Sequence, residues 1–202
     1  MEIAKIKRNG LFILALFTLT ILKTIPSVAQ NKEVIRVNDK DVLNAVAFYE
    51  KDDYKMAKTL LDAIIAKNDK NADAHYALGI VFSKLNKVDD AEDEVKKAIE
   101  LNANNAEFHY GLAKTYMVQL NNASIFSKMS LAGNFRDELI ATLKIDPNHQ
   151  PALTNLTGYY TQAPSIAGGD LNKALELANR LLKLNEKQAR AFLVQIYTAM
   201  NN

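Results

Sequence analysis

Two histidines, His75 and His109, recur at an interval of 34, and each is followed by a tyrosine, Tyr76 and Tyr110. Two imidazoles on neighbouring elements can begin a zinc site, which then needs further nitrogen, sulfur or carboxylate ligands at supporting spacing. The sequence sets no carboxylate or third ligand at such a spacing, so both histidines are read as filling helix interfaces. His149, close to Pro147, reads as a turn residue. Gly168-Gly169-Asp170 has no following Gly-Lys-Ser/Thr and lies between two helical patterns, which does not make a phosphate loop. Neither Gly-x-Ser-x-Gly nor His-Glu-x-x-His occurs, and the absence of cysteine removes thiolate nucleophiles and thiolate metal ligands. The expectation is a noncatalytic chain without metal or cofactor.

The interval that relates the histidines runs through the chain. Ala45, Phe48, Ala57, Leu61, Ile64 and Asn71 precede Gly79, Phe82, Ala91, Val95, Ala98 and Asn105 by the same 34. Ala106, Leu112 and Tyr116 follow Ala72, Leu78 and Phe82 in that register. A period of that length means helical hairpins that stack. Within one unit, Leu78, Gly79 and Phe82 make the apolar stripe of the first helix, with a small residue where a neighbour approaches closely. Ala91, Val95 and Ala98 make the matching stripe of the second. One hairpin cannot bury both stripes, so each is completed by the next unit.

These repeated positions resemble the tetratricopeptide repeat family over about residues 39–200. The resemblance implies an all-α fold, a right-handed superhelix of stacked antiparallel helical hairpins, with about four repeats and a C-terminal capping helix. The repeats are expected at 39–71, 72–105, 106–149 and 150–188, with the cap at 189–200. Leu101 and its counterpart Ile145 are separated by 44 instead of 34, so the third repeat carries ten extra residues around 121–130, which either lengthen a helix or add a short one. The fourth carries five more; there Pro164 ends the first helix, the two glycines turn the chain and Asp170 caps the next helix. Phe192, Ile196 and Ala199 are available to pack the cap.

Family members bind proteins or peptides in a groove lined by their first helices. Register places Val42, Val46 and Tyr49, then Tyr76, Ile80 and Ser83, then Tyr110, Lys114 and Met117, then Thr154, Gly158 and Thr161 on that lining. The leading partner-binding candidates are Val42, Val46, Tyr49, Tyr76, Ile80, Tyr110, Lys114 and Met117; the other reading of these side chains is packing between repeats. The lysines, arginine and asparagines with which some family members clamp a chaperone's C-terminal carboxylate are missing, Lys114 being the lone cation of the set. Asp39, Asp73 and Glu107 also recur at 34. Each falls at a helix start, where a carboxylate caps amides and opposes the dipole, and together they would make an acidic row able to attract a basic peptide.

The N-terminus has a different character. Lys5, Lys7 and Arg8 precede an apolar run from Leu11 to Leu22, and Ser27-Val28-Ala29 supplies small residues for cleavage before Gln30. This is the pattern of a secretory signal peptide at 1–29, and twelve residues are short for a bilayer span. Residues 30–38 then read as a flexible leader and 39–202 as the repeat domain. The expected location is exported from a bacterial cell, periplasmic or secreted. Cleavage takes four of 25 basic and one of 23 acidic residues, leaving 21 against 22 and a net charge of −1. That balance, without a basic cluster, gives no footprint for nucleic acid. The function expected is a protein- or peptide-binding scaffold of the cell envelope, with no membrane span after cleavage. The alternatives are a small-ligand-binding accessory of an envelope transporter, in which the 121–130 insertion roofs the aromatic end of the groove, or a self-associating structural protein.

Overall fold

The computed structural model describes residues 34–201; the expected signal peptide and the start of the leader lie outside them. Among the described residues are nine α-helices and no strand: α1 Lys40–Glu50, α2 Tyr54–Lys67, α3 Ala72–Lys84, α4 Val88–Leu101, α5 Ala106–Asn122, α6 Ile125–Ile145, α7 Gln150–Gln162, α8 Leu171–Leu181 and α9 Glu186–Met200. Each helix packs against the next in sequence, and α1 also touches α3, and α3 touches α5. The chain is thus an array of antiparallel hairpins whose first helices (α1, α3, α5, α7) are neighbours across repeats.

The start of each hairpin is written in side chains that answer orphan amides. Asn71 accepts from the Ala74 N–H and Asn105 from the Glu107 N–H, at equivalent positions of α3 and α5. Lys87 makes no side-chain cap on α4, whose first turn instead carries Asp89 and Asp90 against the helix dipole. The hairpin turns are equivalent too. Asp52 and Asn86 share the repeat register and both adopt positive φ, 63° and 58°, the left-handed region that Asp and Asn tolerate better than most residues.

The stripes read from the sequence form the core. Leu78 and Phe82 are buried with Ala91, Val95 and Ala98. A Cβ on Gly79 would lie 2.5 Å from Val95 Cγ2 and 3.0 Å from the Ala91 carbonyl oxygen, so α3 and α4 meet at a contact that only glycine fits.

The ten-residue insertion lengthens both helices of the third hairpin. Its α5 has 17 residues and its α6 has 21, against 11 to 14 for α1 to α4, α7 and α8. Ala123 ends one and Ser124 caps the other by accepting from the Ser127 N–H. The protruding end leaves Phe126 and Met129 exposed. In the fourth hairpin α7 stops at Gln162, a 3-10 turn spans Ser165–Ala167, Gly168 takes φ 88°, and Asp170 accepts from the amides of Asn172 and Lys173. The final helix buries Ala189, Phe192 and Ile196; Ala199, expected to pack as well, is exposed.

Candidate peptide-binding face

Register assigns eight side chains to the lining of a groove, and most of them lie inside the structure. Val42, Val46, Tyr49, Tyr76, Ile80 and Tyr110 are all buried, while Lys114 and Met117 are partly exposed. Tyr76 shows what that burial consists of. Its ring stacks on Phe108 with centroids 4.9 Å apart, and its Cε2 lies 2.5 Å from where a Cβ on Gly111 would stand. Tyr110 meets the His149 ring at a tilt of 51° with centroids 4.7 Å apart, accepts a hydrogen bond from Asn155 Nδ2 at 3.3 Å, and carries the Lys114 ammonium over its ring at 4.9 Å. These residues hold first helices together across repeats, and of the eight only Lys114 and Met117 offer appreciable surface.

The histidines repeat one arrangement. His75 Nδ1 lies 2.6 Å from Glu94 Oε2 and its Nε2 lies 3.0 Å from the Asp69 carbonyl oxygen. His109 Nδ1 lies 2.7 Å from Glu138 Oε2 and its Nε2 lies 3.1 Å from the Ala103 carbonyl oxygen. Both rings therefore brace a first helix to its second helix and to the preceding loop. The recurrence of the carboxylate is hidden in the sequence because the insertion displaces Glu138 by ten from the repeat register of Glu94. Hydrogen bonding to Glu138 holds the His109 imidazole above its usual range, against the opposing effect of burial. Among the described residues, no group of three or more His, Cys, Asp or Glu could hold a metal ion.

His149 is more than a turn residue. It is buried, caps α7 by accepting the Ala152 N–H at its Nδ1, and turns Nε2 toward Glu107 Oε1 at 3.4 Å.

That carboxylate belongs to the acidic row, and the row does two different jobs. Asp39 caps its helix, accepting from the amides of Asp41 and Val42. Asp73 and Glu107 do not cap theirs, since Asn71 and Asn105 already do. Instead they receive the residues that precede the array. Asp73 Oδ2 accepts from the backbone N–H of Asn38 at 2.9 Å and of Asp39 at 3.1 Å, and Glu107 Oε1 pairs with the Arg36 guanidinium. Burial pushes the Glu107 carboxyl up, but His149 and Arg36 more than offset it and hold the group below its ordinary value.

The stretch 34–38 is non-helical and crosses the array from α1 past α3 to α5. Ile35 is 6% exposed and belongs to the hydrophobic core, with Val37 packed against it. Magnitudes assign the roles. Burying an isoleucine side chain stabilises by about 2 kcal/mol. The ion pair to a guanidinium that is 59% exposed contributes at most about 1 kcal/mol. The apolar side chain therefore supplies the hold, and Glu107 sets which residue sits where.

A separate cleft of about 410 Å³ lies against the insertion, lined by Asn86, Val88, Asp89, Gln119, Ala123, Ser127 and Leu131. None of the eight candidate residues lines it. Among the described residues, no helix is long and apolar enough to cross a membrane.

Residues 48–115, from α1 into α5, match the tetratricopeptide repeat family model. No curated protein matches the chain. Among solved structures, a thermophilic TPR protein of Thermus thermophilus is 19% identical, with 79% of this chain and 81% of that one covered and a TM-score of 0.60. The MamA protein is likewise 19% identical, over 94% and 92% of the two chains, with a TM-score of 0.55. The first TPR of Spaghetti (RPAP3), bound to the HSP90 peptide SRMEEVD, is 15% identical, covering 62% of this chain and 95% of that one, with a TM-score of 0.50. At these identities the likeness is one of fold.

Proposed function

We propose that this tetratricopeptide-repeat chain is a noncatalytic scaffold that binds a protein or peptide along its first helices and works, after export, in the bacterial cell envelope. The observation that carries the reading is the seating of 34–38. Two neighbouring first helices, α3 and α5, already hold an extended stretch of chain, which keeps its place by an apolar anchor, a backbone hydrogen bond from Asn38 and an ion pair from Arg36. That is how a peptide is held, with the main chain fixed and one side chain read. The solved Spaghetti structure holding its HSP90 peptide supports the general use of such a fold for peptides. The chemistry differs, since that peptide ends in acidic residues, whereas Asp73 and Glu107 favour a basic one. Envelope location is supported by the basic, apolar and small-residue order of positions 1–29.

Capture from an envelope extract, read by mass spectrometry, tests this. Tyr76→Ala and Tyr110→Ala are unsuitable probes, because both rings pack inside the array and their loss would destabilise it by about 3 kcal/mol or more. Lys114→Glu with Met117→Lys alters partly exposed side chains instead. The expected outcome is a protein retained by the wild type and lost with the double variant, both melting alike. Equal retention by the two would remove the first-helix face from the proposal.

A further inference from the structure

We propose that the seat occupied by 34–38 selects extended peptides that present an arginine between two branched apolar residues, and that the leader is its built-in competitor. The proposal rests on the peptide-binding reading above and names the ligand class. In the leader the pattern is Ile35-Arg36-Val37, with Ile35 buried, Val37 against the core and the guanidinium on Glu107.

The geometry is that of a ligand rather than of a repeat. Asp73 and Glu107 are equivalent positions one repeat apart, so a chain touching both must cross the helices, not run with them. Two extended residues advance about 6.6 Å. An arginine side chain then covers the remaining distance to the next first helix, which accounts for Asn38 meeting Asp73 while Arg36 meets Glu107.

Specificity follows from what faces the guanidinium. Behind Glu107 lies His149 Nε2, 3.4 Å from its Oε1, on a ring held by capping α7 and by a tilted contact with Tyr110. A carboxylate with two oxygens suits a planar cation that can pair with both, which favours arginine over lysine. A glutamate or aspartate at that place would face a like charge.

A tethered occupant works at a local concentration on the order of millimolar, so an outside peptide of equal intrinsic affinity competes poorly until the leader is displaced. The leader therefore sets a threshold: only a partner with the same pattern and additional contacts enters.

The test titrates a fluorescent peptide corresponding to residues 31–39 into the full chain and into the full-chain variant Ile35→Asp/Arg36→Glu, with melting curves confirming that the array stays folded. Should that variant not fold, Arg36→Glu alone takes its place. The variant is expected to bind the peptide at least about tenfold more tightly than the wild type, because its competitor has been unseated. The same peptide carrying Arg36→Glu is expected to bind about fivefold or more weakly, and adding Glu107→Arg to the leader variant is expected to reverse this preference. Equal affinity for both proteins, or equal affinity for both peptides, would overturn the proposal. So would a concentration-dependent dimer of the wild type that the leader variant abolishes, since the leader would then be exchanged between copies. Failure here with continued capture from envelope extract leaves the scaffold reading standing and removes only arginine selection.

Discussion

The His109 ring is braced by Glu138 and the Ala103 carbonyl, and the carboxylate holds its proton on beyond the range of a free imidazole. A group whose folded pKa is raised contributes stability that is complete below its unfolded value, near pH 6.5, and lost as pH rises through the folded value. His109→Gln should therefore cost most at about pH 6 and least at about pH 8.5, as read from urea unfolding at each pH. A difference that grows with pH would contradict the assigned pairing. At this scale the sequence was partly legible. It identified His75 and His109 as equivalent, and it identified an acidic row. It could not tell a carboxylate that caps from one that receives another segment, because Asp39, Asp73 and Glu107 share a register but Asn71 and Asn105 take the caps of the second and third repeats. The equivalence of Glu94 and Glu138 was hidden by the insertion between them.

Helices in this array are matched to one another by size as much as by hydrophobicity. At Gly79 an added methyl would strike Val95 and the α4 backbone, whereas at Gly133 in α6 it would meet nothing within 4 Å. Overpacking costs about 1–3 kcal/mol, while alanine in place of glycine inside a helix is worth about 1 kcal/mol in the other direction. Gly79→Ala is expected to lower the melting temperature and Gly133→Ala to raise it, and Val95→Ala should recover part of the first loss. A gain from Gly79→Ala would mean that α3 and α4 are not in the contact described. The Gly79 contact was legible because a small residue inside an apolar stripe marks the place where a neighbouring helix comes close. The fate of the insertion was not. Ten residues with helical spacing fit a lengthened helix or a separate one equally well, and what decides is that the chain breaks at Ala123-Ser124 and continues each helix to that point.

For the molecule as a whole, a repeat period of this length is strong enough to dictate stacking, and the fold follows from it because every stripe needs a neighbour. The period says nothing about a non-repeating segment, so the leader's place across α1, α3 and α5 left no trace in the register. It depends on Ile35, Arg36 and Val37 meeting features drawn from several repeats. Nor does the period separate packing from binding, since Tyr76 and Tyr110, on the register positions of a groove lining, meet Phe108 and His149 inside the array. Whether the first-helix face holds an extended peptide is measured most directly by amide chemical-shift mapping of the full-chain Ile35→Asp/Arg36→Glu variant as the 31–39 peptide is added. Shifts are expected to concentrate at Asp73 and Glu107 and at neighbouring amides of α3 and α5. Shifts confined to the exposed end of the third hairpin at Phe126 and Met129, or to Val194 and Tyr197 on α9, would contradict peptide binding on that face.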